Sequence, residues 1–347
     1  MSATRGPQHG HFLAGIVFTI GIATSASAGS ASDLSVCGMP ERPRSDVEKG
    51  IEACTRALNV PRINASDQAF VYQRRGRLFV ALRKFDEAIA DFNEVIRLKP
   101  GFAENYVDRG NAYAVKGEGD KAIADLDEAV RLDPANLRVR AVRGNIRHSA
   151  GQLDLALADF DAVIRAEPRS ADARVGRARL YLRMAKTEEA LADLDEAVKT
   201  NPGALNVRGR VKMEAGRYAE AIADFDALIR VSPDSSLAYN SRCDALALSG
   251  RVQEALPDCH KALSIQSDFA AARESRGFVY LRLGQYQAAI EDYDAALRTA
   301  PRMTAALYGR GIARLRSGDM EGNADIVEAV KIEPAIADRM ARIGVTP

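Results

Sequence analysis

From residue 69 onward the chain repeats one arrangement of apolar, small and charged positions. Tyr72, Arg75-Gly76 and Phe79 mark a first helix, Ala88 and Phe92 a second, and Pro100 closes the unit. The next stretch repeats it with Tyr106, Arg109-Gly110, Tyr113, Ala122, Leu126 and Pro134. A Gly-containing turn separates the two helical patterns each time. Pro100, Pro134, Pro168 and Pro202 are each 34 residues apart, and Pro233 follows after 31. Ser267 takes the slot 34 further on, then Pro301, then Pro334 after 33. A fixed period near 34 predicts stacked helical hairpins.

Two slots in each unit hold small residues. The first reads Gly76, Gly110, Gly144, Ala178, Gly209, Cys243, Gly277 and Gly311. The second reads Ala88, Ala122, Ala156, Ala190, Ala221, Ala255 and Ala289, and breaks down near Asn323. Small side chains let the two helices of a unit cross closely, and proline then ends the second because it cannot continue the hydrogen-bond ladder. The pattern resembles the tetratricopeptide repeat, W-x2-L-G-x2-Y, A-x3-F, P. That resemblance implies an all-α fold, a right-handed superhelical solenoid of antiparallel helix pairs, with eight repeats over residues 69–336.

The flanks fit the same scheme. Residues 29–68 read as a strap and a capping helix, Asp46–Leu58, and residues 337–347 as a cap and tail, with a short helix over Ala335–Gly344. Such caps are needed because each repeat buries its faces only against neighbours. The unit after Pro202 lacks three residues, all from its first helix. Either the superhelix changes curvature at residues 202–212 or the helix is merely shorter.

Residues 1–28 read as an export signal: Arg5, the apolar run Phe12–Ala23, then Ala26-Ser27-Ala28 before Gly29. The run is shorter than the roughly 20 apolar residues of a spanning helix, so no stable membrane insertion is expected after cleavage; an uncleaved anchor is the alternative. Leu34-Ser35-Val36-Cys37 is no lipobox, because Val36 is bulky and Cys37 lies far beyond the apolar run. In an exported chain four cysteines suggest disulfides, as local pairs Cys37 with Cys54 and Cys243 with Cys259. The alternative is four buried thiols. A periplasmic destination is expected, with secretion as the alternative.

Charge narrows the function. The 347 residues carry 48 Lys and Arg against 47 Asp and Glu, a balance that argues against a nucleic-acid partner. There are four His and no Trp, and His148 and His260 alone follow the signal, too few for a His-rich metal centre. Neither a nucleophile elbow, a phosphate loop nor a zinc-protease motif occurs. Pairs such as Asp125 and Asp127 point in different directions on a helix. No cofactor, metal or catalytic residue is expected, and the Asn64-Ala65-Ser66 sequon carries no weight.

Two charged rows run through the array. Arg75, Arg109, Arg143, Arg177, Arg208, Arg242, Arg276 and Arg310 directly precede the first small slot, where the family pattern has Leu. Asp91, Asp125, Asp159, Asp193, Asp224, Asp258 and Asp292 stand three after the second, and Asp325 continues the row. The matched rows predict ion pairs between helices, the alternative being an anion- or calcium-binding ladder.

Residues three before, one after and four after the first small slot share one helix face. The resemblance implies that this face is concave and holds peptides or partner surfaces. One after the slot stand Arg77, Asn111, Asn145, Arg179, Arg210, Asp244, Phe278 and Ile312. Companions include Asn206, Asn240 and Tyr308 three before, and His148, Leu182, Met213, Leu281 and Leu315 four after. The groove is expected to be polar and cationic at first and apolar in the last two repeats. It suits an extended peptide, acidic or C-terminal toward Arg179 and Arg210 and apolar toward Phe278 and Leu281. The expected function is a non-enzymatic interaction scaffold. A structural subunit of an envelope or secretion assembly, using the outer face, and an enzyme subunit with an unrecognised site are the alternatives.

Overall fold

A computed structural model describes Cys37 and residues 44–346. The signal reading of residues 1–28 and the strap up to residue 43, Cys37 excepted, lie outside the described residues. All regular structure among the described residues is helical. One unit ends at Leu132 and a second begins at Asp133.

The first unit contains α1 (Arg44–Leu58), α2 (Ala65–Ala81), α3 (Phe85–Leu98), α4 (Ala103–Lys116) and α5 (Gly119–Leu132), each packed on the next. Helix α1 lays Val47, Cys54 and Ala57 against Val71 and Leu78 of α2. Asn64 caps α2: its side-chain oxygen accepts from the Asp67 amide at 2.9 Å, so the sequon asparagine has a structural task.

The second unit contains six hairpins. They are α6 (Leu137–Ser149) with α7 (Leu153–Ala166), α8 (Ala171–Arg183) with α9 (Thr187–Val198), and α10 (Ala204–Glu214) with α11 (Tyr218–Val231). Then come α12 (Ser236–Leu248) with α13 (Val252–Ile265), α14 (Ala270–Arg282) with α15 (Tyr286–Thr299), and α16 (Thr304–Arg316) with α17 (Gly322–Ile332). Helix α18 (Ile336–Arg342) follows. Helix α10 has 11 residues against 13 in α8 and α12, so the shortened first helix is what the three-residue deletion produces, and α11 keeps its full length.

Glycine sets the packing distance between helices. The Phe160 ring of α7 lies between Gly144 of α6 and Gly176 of α8, where added Cβ atoms would come to 3.1 and 2.5 Å of it. Tyr293 of α15 fits between Gly277 and Gly309 in the same way, fully buried. In the last hairpin Gly322 takes the slot that holds alanine elsewhere, and a Cβ there would fall on the Gly311 carbonyl.

The two charged rows meet in all eight hairpins as bidentate ion pairs. Several of these arginines also reach back to the preceding hairpin. Arg177 donates to Asp161, Arg242 to Asp226 and Arg310 to Asp294, each at 2.6 Å. Arg208 keeps the link across the deletion by donating to Asp195 at 2.7 Å. The row therefore stitches hairpins together and leaves its carboxylates satisfied, which is a structural task and not a ligand ladder.

Candidate functional site

In the second unit successive first helices touch one another, whereas successive second helices do not. The first helices α6, α8, α10, α12, α14 and α16 therefore line the inner side of this unit.

Its polar portion starts at α6. Asn145, Arg179 and Arg210 are exposed, and among the described residues neither of these two arginines makes an ion pair. His148 sits beside them. Its carbonyl accepts from Arg183 Nη1 at 2.7 Å, and burial, with the charges of Arg183 and Arg179, lowers its imidazole pKa. A neutral imidazole leaves the local positive charge to the arginines.

A polar seam follows. Ser241 Oγ donates to Asn206 Oδ1 at 3.0 Å, and Asn240 Nδ2 lies 3.4 Å from Asp244 Oδ2. Asn240 is only 5% exposed, and its Oδ1 has no partner. Burial raises the Asp244 carboxyl to about 7, against a hydrogen bond from Ser275 and the charge of Arg210. Glu274 is raised to about 8 by burial and by Asp244, with Arg339 opposing. Asn240 is thus drawn into the contact between neighbouring first helices, a correction to its placement on an open face, and Asp244 is half-buried beside it.

The apolar portion is covered. Phe278, Leu281, Tyr308 and Ile312 are 6, 1, 3 and 0% exposed and share one core with Ile336, Met340 and Val345. This corrects the expectation of an open apolar groove end: these side chains are packed in that core, to which the segment after α17 adds Ile336, Met340 and Val345. Arg282 Nη1 donates to the Ile343 carbonyl at 3.0 Å, and Arg316 Nη2 to the Thr346 carbonyl at 2.9 Å.

In the first unit Asn111 is exposed, whereas Arg77 is engaged. Its Nη2 donates to Asp108 at 2.8 Å and to Glu104 at 3.3 Å. The carboxylates that hold it sit on α4, one repeat further on, and only the packing of α2 on α4 brings them within reach.

A family model for the tetratricopeptide repeat matches residues 74–136, 143–204, 206–274 and 276–337. The chain is a tetratricopeptide-repeat protein. No curated protein matches it. Among solved structures, a tetratricopeptide repeat protein from Parabacteroides merdae is similar over 70% of this chain and 98% of its own, with 22% identity and a TM-score of 0.57. The Cut9-Hcn1 hetero-tetramer of APC/C is similar over 91% of this chain and 62% of its own, with 14% identity and a TM-score of 0.55. These likenesses concern the fold.

The four cysteines form two disulfides, Cys37 with Cys54 and Cys243 with Cys259. The second joins the two helices of one repeat, α12 and α13, through the small slot of α12. Among the described residues no group of three or more His, Cys, Asp or Glu could hold a metal ion. No described helix is long and apolar enough to cross a membrane.

Sequence reasoning missed Ser241, Ser275 and Glu274, which complete the seam. Ser241 and Ser275 lie two before the small slot, a position outside the face the periodicity selected.

Proposed function

We propose that this tetratricopeptide-repeat protein is a non-enzymatic scaffold in an extracytoplasmic compartment, holding a peptide or partner segment on the inner side of its first helices. The observation that carries this reading is that Asn145, Arg179 and Arg210 are exposed and that, among the described residues, neither arginine makes an ion pair, while the arginines of the structural row are bound to aspartates. Guanidinium groups outside an ion pair can fork onto a carboxylate, and Asn can accept and donate to an extended backbone. An acidic or C-terminal peptide segment suits them. The two disulfides support an oxidising compartment, and the apolar run of residues 12–23 supports export.

The test is affinity capture from the exported fraction with the Arg179→Glu, Arg210→Glu chain. Loss of the partners held by the parent, with the residual binding less sensitive to salt, is expected. Retention of the same partners overturns inner-side binding and points to the outer face.

A further inference from the structure

The apolar portion of the inner side is filled by the chain itself. Ile336 and Met340, four residues apart on α18, are 0 and 1% exposed, and Val345 beyond the turn is 1% exposed. All three belong to one core with Phe278, Leu281, Tyr308 and Ile312. Helix α18 has seven residues, far below the length at which a helix is stable alone in water. Its order therefore depends on the face it covers. Gly344 turns the chain with φ of 77°, and the following residues run past the ends of two successive first helices. There Arg282 and Arg316, the last residues of α14 and α16, hold the Ile343 and Thr346 carbonyls. Side chains that hold backbone carbonyls would receive another peptide of similar shape equally well.

We propose that the apolar end of the inner side is a docking site for a short amphipathic helix carrying two apolar residues one turn apart and an extended tail, and that residues 336–346 occupy it as an internal ligand which a partner segment of the same pattern must displace. This regulates the inner side and so rests on the reading above that partners bind there. Arg339, between Ile336 and Met340 in sequence, is held by Glu333 at 2.9 and 3.0 Å, so the apolar pair and the tail carry the recognition. An internal ligand at high effective concentration lowers the apparent affinity for any competitor by the fraction of chains that stand open.

A fluorescent peptide of residues 334–347 is titrated into the intact chain and into the full-length Met340→Asp chain, in which the internal segment is loosened. The Met340→Asp chain is expected to bind it at least tenfold more tightly than the parent, and a peptide with both Ile336 and Met340 replaced by Asp is expected to bind neither. In a second measurement unlabelled peptide at millimolar concentration is added to isotope-labelled intact chain. The amide signals of residues 340–345 are expected to move toward free-peptide positions while those of α16 remain folded. Equal affinities for the two chains, or a labelled segment that stays in place, overturn the proposal. Peptide binding with partner capture indifferent to Arg179 and Arg210 refutes the function reading alone. Partner loss on charge reversal without peptide binding refutes this inference alone.

Discussion

Arg109 lays two nitrogens on the two oxygens of Asp125, Nε to Oδ2 at 2.9 Å and Nη2 to Oδ1 at 2.6 Å. Its third nitrogen donates to Asn93 Oδ1 at 2.7 Å in the preceding repeat. The Asp125 carboxylate is buried and Arg109 partly so, so removing the arginine strands a desolvated charge, whereas removing both partners does not. Arg109→Leu should cost about 3 kcal/mol. The double variant Arg109→Leu, Asp125→Leu should unfold at a higher temperature than the single one. Equal melting temperatures for the two would show that the pairing is not what stabilises this hairpin.

The carboxyls of Asp244 and Glu274 are raised to about 7 and 8 in the fold, from ordinary values of 3.8 and 4.5. The folded chain therefore holds more protons than the unfolded chain between those limits, and stability must fall as pH rises through them. Both described histidines are lowered, so near pH 6.5 they release protons on folding and oppose the trend, whereas above about pH 7.5 they are neutral in both states and no longer do. Thermal unfolding between pH 6.5 and 9 should show a falling melting temperature. In the Asp244→Asn, Glu274→Gln chain the slope should flatten; an unchanged slope would mean that other groups carry it.

Six glycines take the left-handed turn after the first helix, and Arg83 and Ala185 stand at the equivalent turns of two other repeats with φ of 60° and 58°. An L-residue there is strained by about 1–2 kcal/mol, part of which glycine returns to the unfolded chain as entropy. Ala185→Gly should stabilise by about 0.5–1 kcal/mol, read from denaturant midpoints. Gly322→Ala should do the opposite, costing about 1–3 kcal/mol as α16 and α17 separate.

The period of 34, the small slots and the closing prolines determined the hairpins by themselves, because each is a local requirement of helix crossing or helix ending. The Arg–Asp row was legible for the same reason: its partners recur sixteen residues apart in almost every repeat, so one hairpin's geometry gives them all. The contacts of the candidate site were not local. Arg77 meets Asp108 only because α2 lies on α4, and Asn240 is drawn inward where α12 meets its neighbours, with Asp244 half-buried beside it. The sequence placed an apolar face on α14 and α16 and a short helix after α17. That this helix packs on α16 with its tail reaching Arg282 of α14, and that Arg179 and Arg210 stay exposed, was decided by tertiary packing. Burying Ile336, Met340 and Val345 together with Phe278 and Leu281 removes apolar surface from water that periodicity alone cannot pair.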